Sequence, residues 1–320
     1  MKIILIIVIS LVVLLGALWA LESKRRASDD VLYPAPGHFL ELDRRTLHVD
    51  CQGQSNGVTF MLEAGAGASS LDWDVVFQRL AQHAQVCRYD RAGLGWSDRG
   101  PRPRSIAAIV GDLDHVIQQE AGADDVILVG HSFGGLVAQA YARTYPGNII
   151  GLVLVDAVDS DFIELYAEQS KAGARTMRIG SVVTHIGIPR LLGLAPAPSS
   201  APESVQKAMK ARIIRPLSIA TVADESVSVD ANVVFLNELS PIKADLPVIV
   251  LSRLTDDSIL FDQDWEAAQV RLSQLNARTK RIVSSSSDHQ LTFTDPDLVV
   301  EAVIALRDNH HQQASELFDQ

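Results

Sequence analysis

The sequence predicts an α/β protein: a mostly parallel sheet with helices on both faces, carried on an N-terminal transmembrane helix. Three observations point there. Short apolar runs alternate with stretches of helical spacing over residues 38–157 and again over 241–308. Those runs are apolar nearly throughout, as strands covered on both faces are. Residues 3–21, IILIIVISLVVLLGALWAL, are nineteen in a row without a charge.

At 1.5 Å rise per residue, residues 3–21 reach roughly 28 Å, the hydrocarbon thickness of a bilayer. Glu22, Lys24, Arg25 and Arg26 close the run, and Trp19 stands where an interfacial aromatic belongs. The run is longer than the apolar region of a signal peptide, and Leu18 stands where a cleavage site needs a small residue. An uncleaved single-pass anchor over residues 1–21 is therefore expected. Its orientation stays open. Lys24, Arg25 and Arg26 outweigh Lys2 and favour a cytoplasmic domain, while an N-terminal anchor with a basic start more often exports the domain behind it.

Residues 22–37 are polar, end in a proline-bearing stretch and read as a linker. The first part of the core, 38–157, opens with an antiparallel pair of strands over 38–53, whose residues show period-2 character. A strand over 58–65 runs into glycines, a helix over 71–84 and a strand over 85–90 come next, and a helix over 105–122 is closed by Gly122. Strand 126–130, a helix over 133–145 stopped by Pro146, and strand 149–157 complete this part. Between 158 and 240 helical patterns continue without a clear strand, which predicts a helical cap inserted over one edge of the sheet. The second part of the core, 241–308, holds strand 246–252, helix 262–277, strand 279–284 and a last helix from Pro296, with Asp295 as its cap. Residues 309–320 form a polar tail.

Composition narrows the function. With 28 basic and 39 acidic residues the net charge is −11, which argues against nucleic acid as a partner. Cys51 and Cys87 permit one disulfide at most; two small core residues is the plainer reading, and neither belongs to a metal-binding spacing. EAGAG does not complete a dinucleotide loop, because position 70 is serine, and no P-loop or H-E-x-x-H occurs. No cofactor and no metal are expected. The oligomeric state is not legible.

The chemistry gathers where strands end. Gly130-His131-Ser132-Phe133-Gly134 fits G-x-S-x-G between a strand and a helix, the setting of a nucleophile elbow. The tight turn leaves no room for side chains two residues either side of the serine, and Gly130 and Gly134 provide that room. A nucleophilic Ser132 needs a base. His289 lies in the loop after the last strand, which opens on the same rim; the other eight histidines lie in strand, helix or tail settings or beside the nucleophile itself. The acid that orients the base is open among Asp156, Asp256 and Asp257, all at strand ends. The backbone N–H groups of Phe133 and, from the loop 63–70, of Ala66 are the candidate oxyanion donors.

ILVGHSFGG (127–135), RYDRAGLGWSD (88–98), LEAGAGASSLDW (62–73) and DHQLTFTDPDLV (288–299) together resemble the α/β-hydrolase fold superfamily over roughly residues 38–308. The resemblance implies an eight-stranded sheet with a helical cap, and a cofactor-free serine hydrolase acting on an ester or similar small acyl substrate. Acyl transfer or carbon–carbon bond hydrolysis on the same triad, or a non-catalytic binding protein on a degenerate fold, are the alternatives. DRAGLGWS resembles a loop of the family and reads as structural or as lining the entrance. Two features depart from the family. The oxyanion loop has Ala64-Gly65 where the family has His-Gly, and Arg253 replaces the glycine of G-x-x-D after the seventh strand. By that register Asp256 is the acid, with Asp156, after the sixth strand, as the alternative.

Overall fold

In a computed structural model of the chain, the backbone is described for residues 1–318 and side chains through residue 312. Eight strands form one sheet: β1 His38–Leu42, β2 Arg45–Gln52, β3 Val58–Glu63, β4 Gln85–Tyr89, β5 Asp125–His131, β6 Ile149–Val155, β7 Val248–Ser252 and β8 Thr279–Val283. Their order is β1-β2-β4-β3-β5-β6-β7-β8. The β1–β2 and β2–β4 pairs are antiparallel and the others parallel, which is the mostly parallel sheet expected from the apolar runs.

Both faces of the sheet are buried, which explains why the central strands carry no polar alternation. From β5, Val126 and Leu128 pack with Ile109, Leu113 and Leu136 on one face. Ile127 and Val129 pack with Trp73, Phe77 and Val303 on the other. The chain leaves β3 towards β4 on one side and returns to β5 on the other, so strand order reverses between β3 and β5. At such a reversal the loops diverge and leave a crevice at the carboxyl ends. The loop after β3 and the turn after β5 meet there.

Between β6 and β7 the chain is helical, with principal helices Ala167–Val183, Glu203–Ile213, Pro216–Ser226 and Val229–Glu238. The helix Ile106–Glu120 starts on Ser105, whose side chain accepts from Ala108 N–H, and gives way to Gly122 at φ 57°. The last helix starts at Pro296 as expected, but the Asp295 carboxylate accepts from Ser284 Oγ, tying the loop after β8 to that helix.

Two expectations change. The first helix is continuous from Lys2 to Leu32, so the stretch read as a linker is helical for most of its length. Residues 22–32 are largely good helix formers, and the helix stops shortly before Pro34. Cys51 and Cys87 are not separate core residues: they face each other across the antiparallel β2–β4 pair and form a disulfide, with Cα atoms 4.1 Å apart.

Candidate active site

Ser132 stands between the end of β5 and the helix Phe133–Thr144, at φ 54° and ψ −122°. A positive φ at a non-glycine residue is strained, and the surroundings must hold it. They do so through the backbone: Ser132 N–H donates to Val155 O at 3.0 Å, and Ser132 O accepts from Gly135 and Val158. The flanking glycines are sterically required. A Cβ on Gly130 would lie 2.4 Å from Gly134 O, and one on Gly134 would lie 2.3 Å from Glu63 O. The β5 strand, the next helix and the β3 loop therefore close on one another with the serine at their junction.

His289 lies in the loop after β8, and with Ser132 it borders a cavity of about 480 Å³. Its Nδ1 donates to Asp156 Oδ2 at 2.6 Å. Asp156 comes directly after β6, is fully buried and has φ 42°. A buried carboxylate is costly unless its lone pairs are used. Oδ1 accepts from Trp265 Nε1 at 2.9 Å and from Arg253 N–H at 3.1 Å, and the Arg253 guanidinium lies 3.5 Å from Oδ2. Trp265 also sets its edge against the His289 ring, 5.0 Å between centroids.

Asp256, preferred by register, is elsewhere. It is exposed, and its Oδ1 accepts from Ser258 N–H and Oγ, which holds its carboxyl below the ordinary range. Arg253, which stands where the family has glycine, is engaged in the same loop. Its guanidinium donates to Asp262 at 2.7 Å and 3.2 Å, and Asp262 also accepts from Asp256 N–H. Leu254 N–H donates to Ser286 O at 2.8 Å in the loop that carries His289, while the Asp256 carboxylate is taken up by Ser258. Asp257 is exposed as well.

Phe133 and Ala66 both border Ser132. Phe133 opens its helix, so its N–H has no intrahelical acceptor. The loop carrying Ala66 is fixed by Arg91, from DRAGLGWS. Arg91 is buried and donates to Ala64 O at 2.6 Å, Gly65 O at 2.7 Å and Glu63 Oε1 at 2.7 Å. It also donates to Glu225 Oε1 at 3.1 Å and Oε2 at 3.3 Å, reaching the helix Pro216–Ser226. Burial works against the Arg91 charge, but Glu225 and Glu63 more than offset it and keep its pKa above the ordinary value. Burial pushes the Glu63 carboxyl up despite Arg91.

His131 is not aimed at solvent. It is buried, its Nε2 donates to His289 O at 2.9 Å, and the two rings lie 4.6 Å apart. Burial, followed by the nearby His289, pulls its pKa down to about 3, so it is a neutral prop under the loop. Asp72, which borders the larger cavity, is pushed up to about 7 by burial. On the other side of Ser132 a cavity of about 270 Å³ is lined chiefly by apolar side chains, among them Val158, Phe162, Val222, Val229 and Trp265.

The contacts of Arg91, Glu225 and Trp265 were not read from the sequence. Arg91 had a signal, a charge inside a glycine-rich loop directly after an apolar strand. Trp265 and Glu225 had none, since their roles depend on helices whose placement only the fold gives. A serine, an imidazole and a buried carboxylate held in this way can carry nucleophilic acyl chemistry.

The model of a family described as "Alpha/beta hydrolase family" matches residues 61–302. Among curated relatives, YqjL of Bacillus subtilis is 28% identical over 141 residues, 43% of this chain and 56% of that protein. The match thus spans little more than half of that relative's length. The enol-lactonase from Burkholderia xenovorans LB400 superposes with a TM-score of 0.64 at 19% identity, covering 85% of this chain and 100% of that one. A thermophilic esterase from Thermogutta terrifontis gives a TM-score of 0.62 at 19% identity, covering 85% of this chain and 99% of that one. At these identities the likeness is one of fold.

Proposed function

This chain belongs to the alpha/beta hydrolase family, and we propose that within it the protein is a membrane-anchored serine hydrolase of carboxylic esters or similar small acyl substrates. The observation that carries the reading is the Nδ1 bond from His289 to Asp156, made beside the strained elbow that presents Ser132. Ser132 Oγ attacks the acyl carbon while His289 Nε2 takes its proton. The carbonyl electrons move to oxygen, where the N–H groups of Phe133 and Ala66 receive them. The tetrahedral intermediate collapses, His289 returns the proton to the leaving group, and an acyl-Ser132 ester remains. Water, deprotonated by the same imidazole, releases the acid and restores the serine. Asp156 keeps the proton of His289 on Nδ1 and stabilises the imidazolium that forms in each half.

The helix Lys2–Leu32 is long and apolar enough to cross a membrane, and its apolar part is exposed. This supports an anchor. The Cys51–Cys87 bridge supports an oxidising compartment for the globular domain, hence an exported one.

The test is a panel of p-nitrophenyl esters of rising acyl length with the full chain in detergent micelles. Turnover that Ser132→Ala abolishes is expected. Turnover that survives in Ser132→Ala, or none with any ester, would contradict the proposal.

A further inference from the structure

The helix that leaves the apolar stretch is clamped to the helical insertion. Arg190 donates to Glu22 at 3.1 Å and to Asp29 at 2.7 Å. Asp30 accepts from Arg212 at 2.9 Å and Arg215 at 2.7 Å, and Arg26 donates to His185 O. Glu22 is almost fully buried in this contact. It is also the first residue after the uncharged run. The insertion therefore meets the helix at the level where that helix would emerge from a bilayer.

The surface just beyond Arg190 is unusual for one that faces water. Leu191, Leu192 and Leu194 are 75%, 63% and 62% exposed, and Ile179 and Val182 on the preceding helix are 70% and 67% exposed. Single exposed apolar side chains are ordinary, whereas three leucines exposed within four residues mark an interaction surface. Lys24 and Arg25 are exposed in the helix turn that follows the uncharged run, at the level of anionic headgroups. The same segment then runs inwards: Pro196, Ala197 and Pro198 line the cavity bordered by Ser132 and His289. Residues 190–198 thus join the foot of the helix to the nucleophile.

We propose that the face carrying Ile179, Val182, Leu191, Leu192 and Leu194 rests in the lipid bilayer that holds the helix, and that residues 191–198 form the threshold by which a lipid-borne acyl ester passes from bilayer to Ser132. The occupant of the face is lipid, because the ion pairs to Glu22 fix it at the end of a membrane-length apolar helix. The substrate class comes from the threshold, since an ester dissolved in the bilayer reaches the cavity without crossing water. This rests on the proposed serine-hydrolase activity and narrows its substrate. The reaction is unchanged: the acyl–oxygen bond of the lipid breaks, water supplies the hydroxyl, and a fatty acid and an alcohol are released.

The experiment uses the full chain in vesicles of phosphatidylethanolamine and phosphatidylglycerol. An NBD fluorophore on Leu192→Cys should emit at shorter wavelength in vesicles than in water and resist an aqueous quencher. Turnover of monooleoylglycerol in the same vesicles should fall about tenfold or more in Leu191→Ser/Leu192→Ser/Leu194→Ser, while turnover of water-soluble p-nitrophenyl butyrate is retained. An NBD signal that is fully quenchable, or turnover of both substrates falling in parallel, would overturn the threshold. Hydrolysis of the soluble ester with monooleoylglycerol left intact would overturn the lipid substrate alone. Failure to hydrolyse either would instead count against the hydrolase activity itself.

Discussion

Asp156 holds Nδ1 of His289 at 2.6 Å from a position with no solvent exposure. Its second oxygen is occupied by Trp265 and the backbone of Arg253. The carboxylate that meets His289 thus comes after the sixth strand rather than the seventh. β6 and β7 are neighbours in the sheet, about 4.8 Å apart, so a loop arriving after β8 passes close to both ends. In the loop after β7, Arg253 engages Asp262 and the Asp256 carboxylate accepts from Ser258, whereas Asp156 meets the imidazole.

Asp156→Asn should therefore lower kcat for an ester by about 10⁴-fold, because the amide no longer fixes the Nδ1–H tautomer. Asp256→Asn should leave kcat at the parent value. Steady-state kinetics on both variants, with circular dichroism as a folding control, checks this. The reverse ranking would move the acid to Asp256.

Arg91 joins the β3 loop to the insertion through two buried carboxylates. Arg91→Met leaves Glu63 and Glu225 buried without their cation, and unfolding in denaturant should show a loss of about 3–5 kcal/mol. Glu225→Gln keeps one acceptor for the guanidinium and should cost less. Parent-like stability in Arg91→Met would mean the cluster contributes only neutral hydrogen bonds.

Two buried groups give the stability opposite pH slopes. His131 titrates near 3 in the fold against 6.5 when free, so the stability it confers is present above pH 6.5 and is lost as pH falls towards 3. Asp72 titrates near 7 against 3.8, so its share is present below 3.8 and is lost as pH rises through 7. Thermal unfolding should show His131→Gln flattening the acid limb and Asp72→Asn gaining most over the parent above neutral pH. Slopes unchanged in both variants would remove these groups as the cause.

The Cys51–Cys87 bridge closes a loop with a sequence separation of 36. Replacing both by alanine should cost about 4 kcal/mol. Protein taken from cells should resist maleimide labelling until it is reduced. Free thiols in freshly isolated protein would place the domain in a reducing compartment instead.

The sheet was legible because its central strands are buried on both faces and so are apolar throughout. That Ser132 and His289 border one cavity was legible because local sequence builds the elbow and the last strand's loop has one histidine. The carboxylate partner of His289 was not, since Asp156 and Asp256 both follow apolar strands and only the fold shows which of them reaches Nδ1. The same holds for Arg91: its charge was visible, while its partner Glu225 lies 134 positions away. Residues 22–32 are helical although polar, and three of them, Glu22, Asp29 and Asp30, have arginine partners on the insertion that only the fold brings near.

The central claim is that Ser132 is a nucleophile activated through His289 by Asp156. It is tested most directly by reacting the folded full chain with a fluorophosphonate probe and locating the adduct by peptide mass spectrometry. Labelling at Ser132 that is lost in Ser132→Ala and strongly slowed in Asp156→Asn is the expected result. Folded protein that takes up no label, or takes it up equally well in Asp156→Asn, would contradict it.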